Sequence, residues 1–318
     1  MRALVLTEPK SPLVCRDEPV PIAAPGESLV QLKAAALNRR DFWITQGLYP
    51  GVSTPCILGS DGAGVVDGRE VIINPGINWG SNSRAQGENF RILGMPDNGT
   101  FAESILVPSG WLRDKPAHLS WEQAAALPLA GLTAYRALFT QGKLKAGQTV
   151  LVTGIGGGVA TFALQFAMAA GAKVLVTSSS DAKLARACDL GAVKGARYDR
   201  EDWQQEFADC GPIDLIIDSA AGPGYATLLD LLRPGGTIVN YGATAGPPKV
   251  DMFGVFWKQL HIVGCTMGSS TDFAAMLDFV STHELRPIVD KVVALEDGPA
   301  LVSDMAKMPQ FGKLVLSM

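Results

Sequence analysis

The chain has 318 residues, 47% of them hydrophobic and 18% charged, with 27 Lys and Arg against 31 Asp and Glu for a formal net charge of −4. This is the balance of a globular protein long enough for one large or two ordinary domains, and it lacks the clustered basic residues on which non-specific nucleic-acid binding rests. Five scattered cysteines, never in a C-x-x-C pair, fit reduced thiols and predict neither a disulfide framework nor a structural zinc lobe.

In chain order, Met1-Arg2-Ala3-Leu4-Val5-Leu6-Thr7 reads as a strand followed by a turn at Pro9. It has neither the apolar segment nor the small-residue cleavage site of a secretory leader. No run of about 18 apolar residues escapes charge, glycine or proline, so no membrane span is expected and a cytoplasmic protein is. Short alternating runs at 3–6, 28–36, 64–66, 70–73 and 102–107, set off by Gly, Pro and Asn, predict a β-rich first part. From Trp121 the pattern changes to helices at 121–127 and 131–140. Strands at 149–153, 173–177, 214–218 and 237–241 then alternate with helices at 159–170, 181–190, 203–209 and 225–232. Leu215-Ile216-Ile217 and Thr237-Ile238-Val239 are continuous apolar runs of the kind buried parallel strands show, so this part reads as an α/β doubly wound parallel sheet. After Cys265 come one more helix, 272–283, and a strand, 313–316, too little to fold alone. The expected organisation is a β-rich domain at 1–118, a doubly wound domain at 119–265 and a return segment at 266–318 that rejoins the first part.

The chemistry concentrates at Val150-Leu151-Val152-Thr153-Gly154-Ile155-Gly156-Gly157-Gly158-Val159-Ala160, an apolar strand that enters a glycine cluster and then a helical pattern. First-turn N–H groups are unpaired and the helix dipole favours an anion, so strand, turn and helix together can hold a pyrophosphate. The strict G-x-G-x-x-G spacing is not met, but Gly154-x-x-Gly157-x-x-Ala160 fits its looser form. Gly154, Gly156, Gly157, Gly158 and Val159 are the expected contacts. A bare structural turn is the competing reading, and the βαβ unit completed by the next strand argues against it. About 20 residues on, where an acid would bind a ribose 2′-hydroxyl, stand Ser178, Ser179 and Ser180. Hydroxyls with Lys183 one turn into the following helix suit a 2′-phosphate, so NADPH is expected over NADH. Asp181 works against that reading, and the serines also serve as plain helix caps.

With these motifs the chain resembles the medium-chain dehydrogenase/reductase superfamily and, within it, the zinc-free quinone-oxidoreductase-like branch. Besides the glycine turn, the resemblance rests on Ala36-Leu37-Asn38-Arg39-Arg40-Asp41 with Gly47-Leu48-Tyr49-Pro50 and on Leu58-Gly59-Ser60-Asp61-Gly62-Ala63-Gly64. Gly99-Thr100-Phe101-Ala102-Glu103 and Ala130-Gly131-Leu132-Thr133-Ala134-Tyr135 complete it, and together the motifs span essentially the whole chain. The resemblance implies a Rossmann domain inserted in a GroES-like β-rich catalytic domain, a cleft between them, and a homodimer. It places Tyr198 beside the adenosine phosphate and Thr133 near the nicotinamide or its ribose. It also places Ser219 after the fourth strand, Gly242, Ala243 and Thr244 after the fifth, and Thr266 and Met267 beside the nicotinamide pocket.

Zinc-dependent relatives place a Cys ligand where this chain has Asn38, a His where it has Ser60, and a Cys or Asp near Leu129, so no metal is expected. A metal stabilises the alkoxide in alcohol–ketone interconversion. Without one, the favoured substrates spread the charge left by hydride, as a quinone or an α,β-unsaturated carbonyl does. Asn38 can donate to the carbonyl oxygen, and Tyr49 can orient substrate or relay a proton. Each has a second reading, Asn38 as a turn residue bonded to its own backbone and Tyr49 as a wall aromatic. The sequence thus predicts an NADPH-dependent, zinc-independent reductase of a small quinone or enone. A metal-free alcohol dehydrogenase or carbonyl reductase and a nucleotide-binding protein with little turnover stay open.

Overall fold

A computed structural model describes all of residues 1–318. The chain forms two compact units, Met1–Leu132 together with Gly268–Met318, and Thr133–Met267. The boundary expected at 118/119 thus lies inside the first unit, because the helix Trp121–Ala126 buries Ala124, Ala125 and Ala126 and packs on the strands Glu27–Ala36 and Asp61–Val66. That helix starts cleanly: Ser120 accepts the Gln123 N–H and the Gln123 side chain returns to the Ser120 N–H.

The first unit is built around the strand Glu27–Ala36. Its first half pairs antiparallel with Ser104–Pro108, and its second half lies between Asp61–Val66 and Lys313–Ser317. Arg69–Ile73, Leu112–Asp114 and Val289–Ala294 complete this 7-stranded sheet, and Val14–Asp17, Arg2–Leu6 and Cys56–Ile57 form a smaller one. Ala34, Ala35 and Ala36 are all fully buried, since small side chains let neighbours cover both faces of the strand at that end. Leu4, Leu6, Ile44, Leu58, Phe101, Leu314 and Leu316 pack in one core, so the last residues of the chain share a cluster with the first.

The second unit holds a 6-stranded parallel sheet in the order Lys194–Arg197, Lys173–Ser178, Thr149–Val152, Ile213–Asp218, Leu232–Asn240, His261–Gly264. The chain starts in the middle, winds outward to one edge, then returns and winds outward to the other. This is the doubly wound Rossmann order, whose direction reverses between Thr149–Val152 and Ile213–Asp218. Thr149–Val152 is buried throughout, and the helix Gly158–Ala169 buries Ala160, Phe162, Ala163, Leu164, Phe166 and Ala167 against the sheet layer.

Several elements differ from the sequence expectation. The helix expected over 131–140 is Pro128–Tyr135 followed by a π-helical stretch, Arg136–Gln141. The segment around 203–209 makes only a 3-10 helix, Trp203–Phe207. The fifth strand of the sheet begins at Leu232, which pairs with Ile213 before an irregularity lets the ladder resume at Thr237. The sequence reading also passes over Arg39–Thr45, Lys194–Arg197, Met252–Trp257, His261–Gly264 and Val289–Ala294. No helix is long and apolar enough to cross a membrane.

Candidate functional site

In the first unit, sheet register brings the site together. Ala36 stands opposite Val315 on one side and Asp61 on the other. Continuing the antiparallel ladder, the Leu37 N–H donates to the Leu314 carbonyl at 2.9 Å, and Asn38 comes level with Lys313. Asn38 stands just ahead of the helix Arg39–Thr45, and its main-chain N–H donates to Asp41 Oδ2 at 2.7 Å. Asp41 thereby caps the turn from the third helical position, and Asn38 holds the N-cap.

The Asn38 side chain joins a buried network. Lys313 Nζ donates to Asn38 Oδ1 at 2.7 Å and to Asp61 Oδ2 at 3.0 Å, and Asn38 Nδ2 donates to Asp61 Oδ2 at 2.9 Å. An ammonium only donates and an ionised carboxylate only accepts, so these partners fix which end of the carboxamide is oxygen. Asp61 Oδ1 accepts the Leu129 N–H at 2.8 Å, and the Lys313 and Asp61 side chains are 3% and 0% exposed. The network uses one of the two carboxamide N–H groups of Asn38. Beside it, Arg40 donates to Ser60 Oγ at 2.6 Å and to the Leu93 carbonyl at 2.8 Å, and Ser60 Oγ donates to the same carbonyl at 2.8 Å. Tyr49 joins through Arg40, whose guanidinium carbon lies 5.1 Å from the centre of its ring. Asn38 thus stands at a helix N-cap, as the turn-residue reading has it, and its side chain also meets Lys313 and Asp61.

Asp41 is fully buried, and its Oδ1 has no hydrogen-bond partner. Burial pushes this carboxyl up to about 6 from 3.8. The folded chain holds the proton where the unfolded chain has released it, so this group favours folding at low pH and the benefit is lost as pH rises through about 6. An Asp41→Asn variant keeps an acceptor for the Asn38 N–H and does not titrate. Relative to the parent it should gain on the order of 1–3 kcal/mol between pH 4 and 7 in paired denaturation curves. Curves that stay parallel over that range would contradict it.

In the second unit the expected dinucleotide contacts gather along the carboxyl edge of the sheet, where ligands bind in such folds. Gly154 and Gly156 take φ of +64° and +113°, backbone that glycine adopts without strain, and a Cβ at Gly154 would meet nothing within 4 Å. Gly157 precedes the helix Gly158–Ala169 and offers no side-chain cap, so the first N–H groups of that helix face the turn unspent. At the reversal point Asp218 accepts from Thr153 Oγ1 at 2.7 Å, from Asn240 Nδ2 at 2.9 Å and from the Ala221 N–H at 2.8 Å, which ties three strand ends together. The next loops are laced as well, with Thr244 N–H on the Ser219 carbonyl at 3.2 Å and Ala245 N–H on that of Ala220 at 2.8 Å. Gly242 is required there, since a Cβ would lie 2.8 Å from the Ser219 carbonyl oxygen, and Ala243 follows it in the same loop. Thr266 is exposed and Met267 buried just past the edge strand, and Thr133 is buried with its carbonyl 3.9 Å from Cys265 Sγ.

At the end of Lys173–Ser178 the serines divide their roles. Ser178 is buried and its Oγ accepts the Ser180 N–H at 3.2 Å, Ser180 caps the next helix through the Lys183 N–H at 3.4 Å, and Ser179 is exposed. Ser178 pairs in register with Arg197, and the half-exposed Tyr198 donates its N–H to the Ser178 carbonyl. The sequence reading missed Arg197 and Arg200. Arg197 binds Asp181 at 2.8 Å and Asp199 at 2.7 Å, and Arg200 reaches Asp181 at 3.4 Å. Asp181, which counted against a 2′-phosphate, thus already has two guanidinium partners.

Two family models match the chain, an alcohol dehydrogenase GroES-like domain at residues 24–117 and a zinc-binding dehydrogenase at residues 158–282. A zinc-type alcohol dehydrogenase-like protein, YogA, of Leptosphaeria maculans is 38% identical over 93% of this chain and 92% of its own length. A crystal structure of an NAD-dependent alcohol dehydrogenase is 35% identical with a TM-score of 0.94, covering 100% of both chains. The quinone oxidoreductase of Thermus thermophilus, solved alone and with NADPH, is 30% identical with a TM-score of 0.85, again over 100% of both chains.

Proposed function

The chain belongs to the medium-chain dehydrogenase/reductase superfamily and is an oxidoreductase of that type, and on this footing we propose that it transfers hydride from NADPH to a quinone or an α,β-unsaturated carbonyl without zinc. The observation that carries the proposal is the Asn38 carboxamide, anchored by Lys313 and Asp61 with one N–H left over. The names of the zinc-type relatives raise the question of a metal, and the residues here do not fit one. Asn38 Oδ1 already faces an ammonium, Ser60 Oγ is engaged with Arg40 and a carbonyl, and the Leu129 side chain has no ligating atom. No group of three His, Cys, Asp or Glu able to hold a metal ion occurs elsewhere.

The uncapped glycine turn and the laced loops fit a dinucleotide. When bound, its reduced nicotinamide supplies a hydride. Asn38 then donates its remaining N–H to the substrate oxygen, where negative charge collects as the conjugated carbon accepts the hydride, and Tyr49 orients the substrate. The resulting enolate, or hydroquinone anion, takes its proton from solvent. A metal-free alcohol dehydrogenase or carbonyl reductase is the second reading, favoured by the names of the 38% and 35% identical relatives. Steady-state NADPH oxidation with a conjugated ketone and a saturated ketone of the same size separates the two. The conjugated substrate should turn over far faster, with the rate unchanged after dialysis against a chelator; equal rates would favour the second reading.

NADPH should bind more tightly than NADH, since Ser179 and Lys183 follow the strand end where an acid would bind a ribose 2′-hydroxyl, and Asp181 is already paired with Arg197 and Arg200. Lys183→Ala should narrow the gap by about 1.5–3 kcal/mol in fluorescence titrations, the worth of one charge-assisted contact. Equal affinities for both cofactors in the parent protein would defeat this assignment. A second copy of the chain is the proposed partner. The helix Met252–Trp257 exposes Met252, Phe253, Phe256 and Trp257 close in sequence to His261–Gly264, the open edge strand, which about a two-fold axis can pair with itself. A monomer at micromolar concentration in sedimentation velocity would rule that out.

A further inference from the structure

We propose that Lys313 is the positioning residue of the site: its ammonium, with Asp61 as counter-ion, holds the Asn38 carboxamide by its oxygen so that the free N–H faces the developing oxyanion. This rests on the reading of Asn38 as the oxyanion donor. A carboxamide has two faces of opposite polarity and a broad terminal torsion, so an unheld asparagine can turn its oxygen toward an anion as readily as its N–H. Here rotation is blocked from both sides. Turning Asn38 over would set its Nδ2 against the Lys313 ammonium, donor on donor, and its Oδ1 against Asp61, acceptor on acceptor.

Lys313 also strengthens the donor it holds. A cation 2.7 Å from Oδ1 draws electron density through the carboxamide and leaves the N–H more acidic, and in water-excluded surroundings its positive potential is little screened. The backbone drives the lysine inward. Gly312 has φ of +118° and a Cβ there would lie 2.4 Å from the Ile288 carbonyl oxygen, to which the Lys313 N–H donates at 2.9 Å. This close crossing, together with the pairing to Ala34–Ala36, fixes where the side chain begins. A buried ion pair is a poor device for stability alone, since well-packed apolar residues commonly do as well. Its geometry is accounted for by the asparagine between its members.

The test compares four proteins on a conjugated ketone: the parent, Asn38→Ala, the charge-neutral double variant Lys313→Met with Asp61→Asn, and the triple variant. The double variant should lower kcat about ten- to a hundredfold with KM and the NADPH dissociation constant little changed, and should cost less than twofold when Asn38 is already Ala. A parental kcat in the double variant, or the same loss with and without Asn38, overturns the proposal. An Asn38→Ala enzyme as fast as the parent would instead remove the donor reading beneath it. Should the double variant not fold, hydrogen exchange of the Asn38 side-chain amide in the unmodified protein decides. One slow and one fast proton are expected, and two fast protons would overturn the arrangement.

Discussion

Asn38→Ala should lower kcat/KM for a conjugated ketone by roughly ten- to a thousandfold, the range for losing one useful donor to an oxyanion, or about 1.4–4 kcal/mol of transition-state stabilisation. NADPH binding should not move, because the expected dinucleotide contacts lie in Thr133–Met267 and Asn38 does not. Asn38→Asp should fall at least as far, since it replaces the donor by an acceptor and sets a second carboxylate beside Asp61. Steady-state rates measure both variants. Parental activity in either would place the donor elsewhere.

Asp61→Ala should cost about 3–5 kcal/mol of stability, the penalty for stranding one member of a buried ion pair. Lys313 would lose its carboxylate and keep its bond to Asn38 Oδ1, and the bond from the Leu129 N–H to Asp61 would be lost. Removing both charges, as Asp61→Asn with Lys313→Met, should cost much less, because no ion is then left unpaired. Urea denaturation of the three proteins measures the difference. Equal losses in the single and double variants would mean that the hydrogen bonds of Asp61, rather than its charge, hold this part of the fold.

The doubly wound unit was legible because its signals are local. Thr149–Val152, Lys173–Ser178, Ile213–Asp218 and Leu232–Asn240 each carry an apolar run, the helices Gly158–Ala169 and Asp181–Asp189 follow turns of recognisable chemistry, and the glycine cluster announces the ligand edge. The first unit is made by pairing between distant segments, and there the sequence said less. Lys313, at the head of Leu314-Val315-Leu316, reads as the solvent-facing end of a strand, and only the register against Ala34–Ala36 turns it inward. The available hint was Asp61, an acid among small and apolar residues that needs a cation if it is buried. Arg197 was hidden for a similar reason: Lys194-Gly195-Ala196-Arg197 has no apolar run, so its strand, and with it the partner of Asp181, could not be read locally. Met252–Trp257 breaks the rule that apolar residues face inward, and periodicity gives no warning of an aromatic face turned outward.

The bond between Lys313 and Asn38 spans 275 positions of sequence, while Thr133–Met267 is one uninterrupted stretch. During synthesis from the N-terminus, the dinucleotide-binding sheet has all its strands while the second half of Glu27–Ala36 still lacks its neighbour on one side. The ladder with Lys313–Ser317 closes only after the final strand leaves the ribosome, at the loop-closure cost of nearly the whole chain. The parallel sheet and the Asn38–Lys313 bond are therefore completed at different times. A nascent chain halted ahead of Gly312 would have the strands of Thr133–Met267 without the lysine that bonds Asn38.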